Sequence, residues 1–143
     1  MRPQYETDFY SWAKHNAQLL RNGQLDQADW EHIAEGLEEM SGSKESELEN
    51  RLGVLLTHLL KWRYQPERKG NSWSATIEEQ RRRVKRVLKK NPGLKSYFAE
   101  AFDYAYGDAR LMATRETGMD KKTFPEICPF SAEQTLDENF WPT

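Results

Sequence analysis

SELENRLGVLLTHLLKWRY, residues Ser46–Tyr64, carries Leu48, Leu52, Leu55, Leu56, Leu59 and Trp62 at spacings of three and four. Side chains at that period fall on one side of an α-helix, and a face this wide predicts the most buried element of the chain. Just beyond it, Pro66 and the run Lys69-Gly70-Asn71 cannot continue a helix comfortably, so Gln65–Asn71 reads as a loop. Asn71 or Ser72 then caps another helix reaching Lys90, and the two form an antiparallel hairpin.

Upstream, Ser-Gly-Ser-Lys-Glu lies between Met40 and Ser46. It either ends one helix and starts the next, with Ser46 and Glu49 as a capping box, or lies within one continuous kinked helix. Before it, Asp26 or Asp29 suits an N-cap for a helix with Trp30, Ile33, Ala34, Leu37 and Met40 on one face. A first helix over Glu6–Arg21 has Phe9, Trp12, Ala13, Leu19 and Leu20 on one side, and Asn22-Gly23 stops it. Downstream, Asn91-Pro92 opens a fifth helix that Gly118 ends, with Leu94, Phe98, Ala101, Ala105 and Met112 along one face. Tyr97, Tyr104 and Leu111 widen that face. The tail Met119–Thr143 reads as irregular apart from a short helix over Ser131–Leu136, pinned by Phe124, Phe130, Phe140 and Trp141. No stretch alternates as a strand would. The expectation is an all-α fold: a compact bundle of about five helices with an irregular C-terminal tail, forming one domain over residues 1–143.

A chain of 143 residues can bury one core without staples. Its single cysteine, Cys128, cannot close an intrachain disulfide, and MRPQYETDFYSW lacks the charged and apolar regions of a secretory signal. No apolar run approaches the roughly 20 residues that cross a bilayer. These features suit a soluble, cytoplasmic protein. The net charge of −2 hides a strong segregation: residues 1–60 hold 5 basic and 11 acidic side chains, residues 61–95 hold 12 and 3, and residues 96–143 hold 4 and 9. A basic hairpin between acidic flanks either binds an external anion or is neutralised by its own neighbours.

Aromatic, amide and basic side chains crowd the hairpin turn: His58, Lys61, Trp62, Tyr64, Gln65, Arg68, Trp73, Gln80 and Arg81. A helical wheel places Gln80 among Trp73, Ile77, Val84, Val87 and Leu88, with Arg81 at the edge of that face. A core-facing amide needs a partner, because an unsatisfied one costs about 1–3 kcal/mol. His58 and Lys61 on the facing helix are the candidates. A Gln80–His58 contact is therefore expected, either as a structural network that fixes the hairpin register or as part of a ligand site. Arg82, Arg83, Lys85, Arg86, Lys89 and Lys90 point away from the apolar face and form a basic surface.

Three readings follow. In the first, the basic hairpin docks an acidic protein partner or another copy of the chain in a homo-oligomer. In the second, Arg68, Arg81, Arg82, Lys85 and Arg86 grip RNA or DNA phosphates beside Trp62, Tyr64 and Trp73, with His58 as general base; the near-neutral pI of about 6.0 weighs against it. In the third, Lys61, Gln65, Arg68 and Arg81 hold a small anionic substrate while His58 carries a proton. No catalytic motif selects among them, and no cofactor, bound metal or membrane partner is implied. His15, His32 and His58 fall on three predicted helices, the minimum for a three-histidine metal site, but Asp29 and His32 have no matching pair elsewhere. Cys128 reads as packing, and Asp103, Asp108 and Glu116 as exposed partners for the basic helix.

Several short blocks carry a resemblance. Asp8-Phe9-Tyr10-Ser11-Trp12, Leu19-Leu20-Arg21-Asn22-Gly23 and His58-Leu59-Leu60-Lys61-Trp62 with Tyr64-Gln65-Pro66 are joined by Ser72-Trp73 with Thr76-Ile77. Glu116-Thr117-Gly118, Phe124-Pro125 and Cys128-Pro129 complete the set. Over nearly its whole length the chain resembles a bacterial family known as domain-of-unknown-function family 29. That resemblance implies a compact, all-helical single-domain protein and carries no established activity. Gly36 departs from the better helix former of the relatives, and His15 and His32 lie outside the shared motifs.

Overall fold

In the computed structural model, which describes residues 4–143, the first helix starts where the Asp8 carboxylate accepts the Ser11 N–H at 3.1 Å. This helix, α1, spans Phe9–Arg21, so the cap trims the three residues from Glu6 that spacing alone had included. It ends at Asn22, and Gly23 turns the chain in the left-handed region at φ 72°. A helix α2 then runs unbroken over Trp30–Tyr64. Of the two readings of Ser41–Glu45, the continuous helix holds: Gly42 and the flanking serines lie within it, and none has a positive φ. After a 3-10 turn at Pro66–Arg68, α3 spans Asn71–Lys90, as the loop residues predict, but its N-cap is the extended Gly70 rather than Asn71 or Ser72, and no side chain caps it.

The next helix departs from expectation at its start. Pro92–Ser96 forms a 3-10 turn, and α4 begins only at Phe98, running to Thr117. The Asn91 side chain turns backward and donates to the Val87 carbonyl at 3.0 Å, so it closes α3 rather than opening α4. Gly118 stops α4 at φ 72°. The short helix in the tail, α5, covers Ala132–Leu136 behind a Ser131/Gln134 capping box. The fold is all-α, with five α-helices and no strand among the described residues.

The chain forms two compact units, one ending at Gly42 and one spanning Ser43–Thr143. In the first, Trp12, Asn16 and Leu19 are buried. Asn16 takes the Asp29 N–H on its side-chain oxygen at 2.8 Å while its amide donates to the Trp12 carbonyl, which ties α1 to the start of α2. Much of the apolar pattern read here stays uncovered, however. Phe9 and Leu20 on α1, and Trp30, Leu37 and Met40 on α2, are exposed, Met40 to 65%.

The second unit holds the main core. Leu48, Leu52, Leu55, Leu56, Leu59 and Leu60 of α2 are fully buried against Ile77 and Val84 of α3 and Ala101, Ala105, Ala109 and Ala113 of α4. Small residues on α4 let its backbone come close: a Cβ added at Gly53 would lie 4.0 Å from the Ala105 carbonyl. The tail is anchored as expected. Phe124 and Phe130 join the core, Phe140 and Trp141 pack on it, and Arg110 donates to the Phe124 carbonyl at 2.8 Å.

Candidate functional site

The crowd of polar residues at the hairpin turn resolves into two separate structures. In one, Lys61 is buried, bonds Glu116 at 3.0 Å and lies 4.7 Å from the centre of the Trp73 ring. Glu116 therefore serves α2 rather than the basic helix, a partnership with no local signal in the sequence. His58 sits nearby and donates from Nδ1 to the Val54 carbonyl one turn back, at 2.9 Å. Burial pushes its pKa below the usual histidine value, and the Lys61 charge pushes the same way, so the ring is held neutral.

Arg81 anchors the other. It is fully buried, not at the edge of the face, and it donates to the carbonyls of Thr135 at 2.9 Å, Gln134 at 3.4 Å and Phe140 at 2.7 Å. Trp141 covers it at 5.4 Å and packs on Trp62 at 4.7 Å. The guanidinium thus closes the C-terminal end of α5 and clasps the tail. Tyr64 meets Phe124 edge-on, Lys69 covers Trp62, and Gln65 lies in the turn with its N–H on the Lys61 carbonyl; Arg68 is exposed.

His58 and Gln80 share no hydrogen bond. His58 satisfies itself on its own helix, and the antiparallel register sets Gln80 in a hollow of about 550 Å³ with Val54, Asn50, Arg51 and Ser43. Here two buried polar atoms have no partner, Gln80 Oε1, an acceptor, and Arg51 Nε, a donor. Each such atom costs about 1–3 kcal/mol if left dry. The hollow shares Lys44, Glu47 and Arg51 with a longer groove of about 850 Å³ that α2 and α3 flank.

That groove collects the basic surface except for Lys89. Lys44 and Arg51 from α2 and Arg82, Arg83, Lys85, Arg86 and Lys90 from α3 line it, against Glu47, Glu78 and Glu79. Arg83 is paired with Glu79 at 2.7 Å and Lys85 with Glu138 at 3.7 Å. Lys44 and Arg51 share Glu47 at 3.7 and 3.5 Å, so of the seven cations lining the groove Arg82, Arg86 and Lys90 make no ion pair among the described residues. Lys89 and Lys90 have a local role as well, because cations in a last helical turn face the negative end of the dipole. Lys44, Glu47 and Arg51 escaped the sequence reading. Glu47 and Arg51 join it through the pairing of α2 with α3, and Lys44 because α2 is already helical before Ser46.

In the first unit Asp29 organises a polar cluster. Its carboxylate accepts from Trp12 Nε1 at 2.9 Å and His32 Nδ1 at 2.8 Å, and Tyr5 stacks on the His32 ring. The bond to Asp29 raises the His32 pKa. No group of three His, Cys, Asp or Glu side chains that could hold a metal occurs among the described residues, and none of their helices is long and apolar enough to cross a membrane. Burial pushes the Cys128 thiol up to about 11, which keeps it protonated and a poor nucleophile.

These features define an all-helical protein with a polar, cation-lined groove between two antiparallel helices. The chain matches the family model described as domain of unknown function DUF29 over residues 4–141 and belongs to that family. No curated protein and no solved structure matches it.

Proposed function

We propose that the protein is an interaction module whose α2–α3 groove binds an acidic segment of a protein partner. The observation that carries this reading is that Arg82, Arg86 and Lys90 line the groove without an ion pair among the described residues. Carboxylates of such a segment answer these cations.

The other readings fit less well. Nucleic-acid binding would use Trp62, Trp73 and Tyr64 as stacking platforms, but these rings already lie against Trp141, Lys61 and Phe124. An enzyme built on Lys61, Gln65, Arg68 and Arg81 would need those groups to converge on one anion. Arg81 is instead committed to tail carbonyls and Lys61 to Glu116.

Fluorescence anisotropy separates these alternatives. A labelled peptide of Glu-Glu-Leu repeats should bind the full chain, weaken steeply with salt, and lose about tenfold or more in affinity when Arg82 and Arg86 become Glu. Tighter binding of an oligonucleotide of equal charge, or peptide binding indifferent to the double substitution, would contradict the reading.

A further inference from the structure

We propose that the acidic segment taken by the groove is the first part of α2, Trp30–Met40, supplied by a second copy of this chain; the inference rests on the groove reading above. Two independent features of that segment carry it. Trp30 and Leu37 are 51% and 58% exposed, so a helix that spacing marks for burial presents its apolar stripe outward. At about 100° per residue, Glu31, Glu35 and Glu38 run along one border of that stripe. An exposed apolar face edged with carboxylates is the complement of a cation-lined groove with Val87 and Ala75 in its wall.

Charge and length agree. Residues 1–42 hold 3 basic and 8 acidic side chains, and residues 43–143 hold the remaining 18 and 15, so the two units carry opposite net charges of −5 and +3. Eleven residues of helix span about 16 Å, and the α3 wall from Ala75 to Lys90 runs about 22 Å, enough to seat it. Trp30 is the natural anchor, since its large exposed ring can cover Ala75 and lie against the guanidinium groups that line the groove. Glu35 and Glu38 face Arg82 and Arg86 in this arrangement.

Sedimentation velocity on the full chain and charge-swapped variants tests it. Wild type at about 100 µM should associate at about 50 mM salt and dissociate at about 500 mM. Arg82→Glu with Arg86→Glu, and separately Glu35→Lys with Glu38→Lys, should each sediment as monomers with unchanged helical content. Mixing the two variants should restore association, because each supplies the charge the other now needs. A monomeric wild type, salt-insensitive association, or a mixture that stays monomeric would overturn the proposal. A monomeric wild type that still binds the Glu-Glu-Leu peptide through Arg82 and Arg86 would remove self-docking and leave the groove reading standing. Loss of peptide binding as well would remove both.

Discussion

Arg81 illustrates what a single residue's neighbours decide. On a wheel it lies about 100° from Gln80, and the amide reads as the inward member; yet Arg81 is fully buried and Gln80 only half-buried. The reason lies 54 residues away, where the Thr135 carbonyl waits at the end of α5 for a donor. No local pattern encodes that partner. Arg81→Ala removes the donor for three carbonyls and opens a void under Trp141, so it should destabilise the fold by about 3 kcal/mol or more in urea denaturation. Arg81→Lys should recover little, since an ammonium lacks the fork that reaches separated carbonyls. A loss near zero for Arg81→Ala would show that the clasp does not hold the tail.

The histidines differ in the same local way. Asp29 raises the His32 pKa above 6.5, while burial lowers that of His58 below it. His32 therefore adds stability that is complete below 6.5 and lost as pH rises through its raised folded value. His58 adds stability present above 6.5 and lost as pH falls through its depressed folded value. The His32 contribution is small because the Asp29–His32 pair is partly open to solvent. NMR titration of the two rings should give His32 the higher midpoint, and Asp29→Asn should lower it; reversed midpoints would contradict the geometry.

Among elements, α2 is the instructive one. Its buried half was legible because leucines at helical spacing leave no other reading. Its continuity was not, because Ser-Gly-Ser-Lys is common at helix ends and interior alike. The helix persists because each Gly or Ser in it costs only about 0.5–1 kcal/mol, less than ending and restarting a helix with unsatisfied termini. Gly36 and Gly42 both lie inside α2 with nothing within 4 Å of an added Cβ. Gly36→Ala and Gly42→Ala should therefore each raise stability by about 0.5–1 kcal/mol and increase helicity by circular dichroism. Destabilisation by Gly42→Ala would indicate a break there.

The basic face was legible for a related reason. Arg82, Arg83, Lys85, Arg86, Lys89 and Lys90 occupy the wheel positions that the apolar stripe leaves over, and all are exposed. The groove was not legible. Its second wall, Lys44 to Arg51, required knowing both that α2 runs on and how α3 pairs with it.

Across the molecule, charge is sorted as deliberately as hydrophobicity. A chain of net charge −2 carries an acidic first unit with an uncovered apolar stripe, and a second unit with seven of its 18 cations along one groove. Strong local fields of opposite sign speed encounter and fix orientation between partners, and their effect fades with salt. The residues most conspicuous in the sequence, those around His58, turn out to hold the fold together, while the less conspicuous pairing of α2 with α3 forms the cation-lined groove. The most direct measurement is a two-dimensional amide NMR titration of the full chain with the Glu-Glu-Leu peptide at low salt. Shifts should concentrate in Lys44–Arg51 and Ala75–Asn91 and vanish when Arg82 and Arg86 become Glu. Shifts centred instead on His58, Lys61 and the tail, or none in either groove wall, would contradict the account.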